Sequence, residues 1–229
     1  MSEMHIFKRI SRPTAFFLHR GHAGAELRDF MNIVDHEAGI VFALPRGGVP
    51  VADPIAEALH APLELAMVRK LPVPASPEVG FGAVALDGSS LLNTHLVDYF
   101  GIQEAQVAEI TDEVLQELRR RRTEYPGGEA FPDLSGKTAY LVDDGLATGY
   151  TMVVAAQMVR KLKPKALVLC VPVSPWDSLM SVEKYFQEAY VLYVQERPPF
   201  AVASFYQHFK DLSDREVRTI LAKHSKSPI

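Results

Sequence analysis

One cysteine, Cys170, stands among 229 residues, so the chain can close no internal disulfide and cannot build a cysteine-rich metal centre. Cys170 lies inside the apolar run ALVLCVPV (166–173) and reads as a small buried hydrophobe. No uncharged apolar run reaches the roughly 18 residues of a membrane-spanning helix, so no membrane partner is expected. The opening stretch MSEMHIFKRISRPTAFFLHR interrupts its short apolar segments with charges and Pro13, which leaves no signal-peptide core. A cytoplasmic protein is the expectation.

An excess of positive charge is lacking too. Twenty-four Lys and Arg face 28 Asp and Glu, for a formal charge of −4, so nothing draws the whole chain to a polyanion and no nucleic-acid partner is expected. The basic run Arg119 to Arg122 closes a pattern in which Val107, Ile110, Val114 and Leu118 recur at helical spacing. Cations there complement the carboxyl end of the helix dipole. Neither Gly-x-x-x-x-Gly-Lys-Ser/Thr nor Gly-x-Gly-x-x-Gly occurs, which sets aside P-loop hydrolases and the standard dinucleotide fingerprint.

What is present is an alternation of short apolar runs with helical patterns. IVFAL (40–44), LELAMVR (63–69), TAYLVD (138–143), ALVLCVPV (166–173) and AYVLYV (189–194) read as strands. Helices are predicted over 50–60, 103–122, 151–163, 178–187 and 214–223, the third stopped by Pro164, the last opened by the cap candidate Ser213. The second is expected to close at Pro126-Gly127-Gly128. AVAL (83–86) and SSLLN (89–93) flank Asp87-Gly88, a hairpin signal. The stretch KLPVPASPEVGFG (70–82) has three prolines, which lack N–H donors, and is expected to be a mobile loop. Strands separated by helices imply an α/β fold with a parallel sheet covered on both faces.

In such sheets ligands bind beyond the carboxyl ends of the strands. The segment LVDDGLATGYT (141–151) puts Asp143 and Asp144 at one of those ends, directly before a helix. Adjacent carboxylates repel, so they make sense facing cations or hydroxyl donors. The residues that follow offer the opposite chemistry: small side chains that let backbone N–H groups converge, the hydroxyls of Thr148 and Thr151, and a helix N-terminus, all suited to phosphate. Acid for hydroxyls beside a phosphate cradle describes a sugar phosphate. A capped helix with two solvated aspartates is the plainer alternative.

LVDDGLATGYT resembles the phosphoribosyl-pyrophosphate (PRPP) motif of type I phosphoribosyltransferases. ALPRGGVPVA (43–52) is similar to that family's pyrophosphate loop, with glycines that permit close approach and Arg46 for the diphosphate charge. VRK (68–70) with its Pro-rich extension resembles the basic strand end and closing loop of these enzymes. The three regions keep the family's order across roughly 36–175. HRGHAGAEL and PPFAVASFYQHF are similar to segments of a bacterial group of predicted phosphoribosyltransferases.

The resemblance implies one phosphoribosyltransferase domain over 1–229, with residues 176–229 and part of 1–35 forming a small variable hood. It implies transfer of ribose 5-phosphate from PRPP to a nitrogenous acceptor with Mg²⁺ as cofactor, in a homodimer. Asp143 and Asp144 would hold the ribose hydroxyls, with Mg²⁺ carried mainly by PRPP nearby. Ala147, Thr148, Gly149, Tyr150 and Thr151 would wrap the 5′-phosphate. Arg46, Gly47 and Gly48 would hold the diphosphate, in a loop where the family often has a non-proline cis peptide, and Lys70 with Arg69 would neutralise it. Enzymes acting on 6-oxopurines generally carry an acid where this chain has Ala147, which points to a different base; Glu78 in the closing loop is a substitute acid or a solvated side chain. Trp176, Phe205 and Tyr206 are the aromatic candidates for stacking on the acceptor or for core packing. His19 and His22 have the spacing of a metal pair but no further ligands. A non-catalytic PRPP or nucleotide sensor, and use of the site in reverse, remain open alternatives.

Overall fold

The computed structural model describes residues 2–33, 39–74, 76–126 and 133–224. In chain order the elements are β1 (Glu3–Ile10), α1 (Arg20–Met31), β2 (Gly39–Ala43), α2 (Gly48–Ala58), β3 (Leu63–Leu65), β4 (Val68–Val73), β5 (Ser76–Ala85), β6 (Ser90–Leu92), α3 (Thr94–Tyr99), α4 (Glu104–Thr123), β7 (Thr138–Val142), α5 (Tyr150–Arg160), β8 (Ala166–Pro175), α6 (Trp176–Val182), β9 (Glu188–Gln195) and α7 (Asp214–His224).

Six strands form one parallel sheet in the order β1-β9-β8-β7-β2-β3. Its central strands are buried on both faces, as the apolar runs require. Val41, Ala43, Val168 and Cys170 point into one core, shared with α1, α2, α4 and α7. Ile40, Phe42, Leu141 and Leu169 point into the other, built with α5 and α6. Cys170 is fully buried, and burial raises its thiol pKa, as expected of an inert core residue.

A second sheet, β4-β5-β6, is antiparallel. It overturns the expected 70–82 loop. Pro72 is accommodated because β4 is an edge strand and the register shifts on either side of it, and Pro77 falls in the 77–79 stretch of β5 that has no partner in β4. Leu71, Val73 and Phe81 are buried and fasten the ribbon to the core. The run 63–69 accordingly divides at Ala66-Met67, its first half in the parallel sheet and its second in the ribbon. The Asp87-Gly88 turn is as predicted, with Gly88 at φ +84° and the Asp87 carboxylate accepting from the Ser89 N–H at 3.0 Å.

Ser213 opens α7 with a reciprocal capping box: its N–H donates to the Glu216 carboxylate at 2.8 Å and its Oγ accepts from the Glu216 N–H. The predicted helix over 178–187 is shorter, ending at Val182 and passing into a 3₁₀ turn. The predicted stop at Gly127-Gly128 lies outside the described residues. Sequence reading missed β1, α1 and α3. In the edge strand β1 the charges of Glu3, Lys8 and Arg9 lie at exposed positions and hide its pattern. In α1 only Ala23, Gly24, Leu27 and Met31 are buried, too little apolar surface for a clear helical stripe.

Gly24 is where α1 meets α2: a β-carbon there would fall 2.3 Å from the Val51 carbonyl oxygen. Gly24→Ala should therefore destabilise the fold by about 1–3 kcal/mol and lower the melting temperature by roughly 3–10 °C, as thermal unfolding by circular dichroism would read directly.

Candidate functional site

β2 and β7 are neighbours with Ala43 opposite Val142, so the loops leaving them start side by side. The Leu44 N–H donates to the Val142 carbonyl at 2.9 Å and holds the first loop against the second strand. Contact between the loops depends on two glycines. A β-carbon on Gly47 would fall 2.1 Å from Asp144 Oδ2, and one on Gly48 2.5 Å from the Val142 carbonyl. The Arg-Gly-Gly segment and the acid pair thus touch, and only backbone fits between them. The Pro45–Arg46 peptide is cis.

Asp143 Oδ1 accepts from the Asp144 N–H at 2.8 Å. Asp144 Oδ2 accepts from Arg20 Nε at 2.6 Å, with the two side chains only 14% and 11% exposed. The Tyr206 hydroxyl donates to the Asp144 carbonyl at 2.6 Å. Arg20 Nη1 donates to the Lys210 carbonyl at 2.8 Å, and its guanidinium lies over the Phe209 ring at 3.8 Å. Burial and the neighbouring Asp144 charge push the Asp143 pKa well up. Asp144 is also raised, burial outweighing the lowering effect of Arg20.

The loop after Asp144 ends at Gly149, whose φ of +85° suits glycine. The α5 N-terminus that follows carries no side-chain cap, which leaves its first N–H groups and dipole to an anion. Ala147 and Thr148 are exposed, and the Ser178 hydroxyl donates to the Ala147 carbonyl at 2.5 Å. Thr148, Gly149, Tyr150, Asp177, Ser178 and Ser181 line a cleft of about 480 Å³.

Arg46, Arg69, Arg121 and Tyr125 line a second cleft of about 290 Å³. Asp214 stands 3.8 Å from Arg46, and Glu117 lies 3.5 Å from Arg69 and 2.7 Å from Arg121. The Tyr125 hydroxyl donates to Asp214, and burial with that bond raises it to about 12. Arg69 also lines an outer cleft with Lys70, whose ammonium donates to the Glu78 carbonyl at 2.7 Å. Glu78 itself is exposed on the ribbon.

The aromatic candidates are placed differently from the stacking role considered for them. Phe205 is fully buried against Phe16 and Phe200, and Tyr206 is 5% exposed beside Phe17 and Phe209. Core packing accounts for both, and neither presents an open face. Trp176 lies beneath the Arg9 guanidinium, 4.0 Å away. His19 Nδ1 caps α1 by accepting from the His22 N–H, while His22 pairs with Glu26. Among the described residues no group of three or more His, Cys, Asp or Glu could hold a metal ion.

A family model for the "Phosphoribosyl transferase domain" matches residues 20–195. The chain belongs to this family. It is 38% identical, over 202 residues, to "Putative phosphoribosyl transferase Rv0571c" of Mycobacterium tuberculosis H37Rv and equally to its counterpart MT0597 in strain CDC 1551 / Oshkosh. Those matches cover 88% of this chain but 45% of the relatives, so the chain spans about half their length. The crystal structure of TT1426 from Thermus thermophilus superposes with a TM-score of 0.71 at 31% identity, covering 91% of this chain and 98% of that one.

Sequence reading missed Arg20, Arg121 and Tyr125. Arg20 sits in the HRGHAGAEL segment, whose resemblance to related proteins was its only signal, since the partner Asp144 is 124 positions away. Arg121 reads as a helix-end cation until α4 is seen to pack on β4.

The raised acid pair sets a pH dependence. Below the ordinary value of 3.8 Asp143 is neutral folded or unfolded; as pH rises through its higher folded pKa, ionisation must occur out of water and stability from this site falls. Asp143→Asn should therefore melt higher than wild type at pH 8, with the gap closing below pH ~4, in paired thermal scans across pH.

Proposed function

We propose that the chain is a phosphoribosyltransferase that moves ribose 5-phosphate from PRPP to a nitrogenous base other than a standard 6-oxopurine, releasing diphosphate. The observation that carries this reading is the close approach of Gly47 to Asp144, which sets the Arg-Gly-Gly segment beside the acid pair, directly before the Ala147–Thr151 loop, at the carboxyl end of the sheet.

In this reading Asp143 and Asp144 accept the ribose hydroxyls, and the Ala147–Thr151 backbone and hydroxyls hold the 5′-phosphate. The backbone at Gly47 and Gly48 meets the diphosphate, and Arg46 with Arg69 supplies the positive charge that grows in importance as the C1–O bond breaks and its electron pair passes to the leaving oxygen. Lys70 adds a further cation from the ribbon. The acceptor nitrogen contributes the lone pair that forms the C1–N bond, and its proton passes to solvent. Holding both reactants in line is the remaining contribution. Asp143 and Asp144 suit Mg²⁺ delivered by the substrate and held through water, because two carboxylates with one guanidinium retain net negative charge; the ion would neutralise diphosphate charge when bound. The C-terminal segment with residues 11–19 would form the hood over the acceptor, in a homodimeric single-domain enzyme.

Diphosphate release, followed against a panel of bases and amines, tests the reading. Arg46→Ala should lower kcat by about 10²–10³-fold, the loss typical of one preorganised charge-stabilising donor. PRPP that binds with no diphosphate formed from any acceptor would instead make the site a sensor.

A further inference from the structure

The acid pair presents an unusual electrostatic problem. Two adjacent carboxylates are largely withdrawn from water, and a buried charge is tolerated when it is paired and hydrogen-bonded. Asp144 has that partner in Arg20 Nε at 2.6 Å. The guanidinium is itself held in place: Nη1 is fixed to the Lys210 carbonyl, the Phe209 ring covers one face, and α1, which begins at Arg20, packs on α2 through Gly24 and Val51. α2 in turn begins at Gly48, beside Asp143. Tyr206 adds a hydroxyl bond to the Asp144 backbone. These contacts come from both chain ends and converge on one acid.

We propose that Arg20 is a positioning residue of the PRPP site, which fixes the Asp144 carboxylate for the ribose hydroxyls and, together with Tyr206, couples the 205–210 segment to that acid. The role rests on the PRPP reading above. Arginine is needed because its planar fork serves the carboxylate and the Lys210 carbonyl at once while sitting over Phe209; an ammonium on a flexible stem cannot reproduce this. The charged and titratable groups facing Asp144 are Asp143, Arg20 and the Tyr206 hydroxyl. On the outer side of Arg20 a small cavity of about 170 Å³ is lined by His19, His208 and Lys210, so a small guanidinium compound has a route to the site once the side chain is shortened.

Calorimetric titration with Mg²⁺ and PRPP, beside steady-state kinetics, tests the role on wild type, Arg20→Ala, Arg20→Lys and Tyr206→Phe. Loss of one charged hydrogen bond predicts roughly 10–100-fold weaker PRPP binding by Arg20→Ala, expressed in the KM for PRPP more than in kcat. Arg20→Lys should recover only part of it. Methylguanidinium at non-denaturing concentration should restore affinity to Arg20→Ala and leave wild type unchanged, a response that a purely structural residue would not give. Tyr206→Phe should fall between wild type and Arg20→Ala. If Arg20→Ala does not fold, Arg20→Lys carries the test. Variants that fold and bind PRPP within threefold of wild type would overturn the role while leaving the PRPP site standing. Wild-type protein that binds no PRPP would overturn the functional reading and this role with it.

Discussion

Two adjacent, mostly buried carboxylates at the end of a parallel strand set terms that the surrounding structure must meet. Asp143 and Asp144 repel one another, and burial raises the cost of ionising either. The fold answers with one guanidinium on Asp144 and a backbone N–H on Asp143. Removing Asp143 would ease the fold, whereas removing Asp144 would leave the Arg20 guanidinium buried without its carboxylate.

The rest of the molecule positions this edge. The central strands are buried on both faces, so β2 and β7 are fixed in register and their loops cannot drift apart. Gly47 and Gly48 then allow those loops to meet at backbone distance. The α2 and α5 N-termini lie at the same edge without side-chain caps, so positive potential surrounds the acids where anionic groups would sit. The antiparallel ribbon and α4 bring Arg69 and Arg121 into one cleft with Arg46.

Much of this is legible in the sequence itself. The strand ends, the acid pair and the two glycine-containing loops are local patterns, and the parallel character of the sheet follows from the alternation of strands and helices, whereas the strand order does not. Less legible were features that depend on partners distant in sequence. Arg20 gains meaning only when α1 packs on α2, and Tyr206 only when residues 205–208 pair with 17–18. Aromatic character alone makes Phe205 a candidate stacking surface, because nothing local records that Phe16 and Phe200 enclose it. The proline count of the 70–82 stretch argues for a loop, whereas an edge position and a register shift let Pro72 sit in a strand, and Pro77 sits in an unpaired part of β5. Edge strand β1 is hidden for a related reason: its charges lie at exposed positions that periodicity alone does not reveal.

The central claim is that the acid pair and the Arg-Gly-Gly loop form one PRPP site, and thermal unfolding with and without Mg²⁺ and PRPP addresses it most directly, comparing wild type with Asp143→Asn/Asp144→Asn. At about 100 times Kd a ligand adds ~2.7 kcal/mol to stability, or roughly 5–10 °C for a domain of this size. The account predicts that increment in wild type and its loss in the double variant. An equal increment in both, or none in wild type, would contradict it.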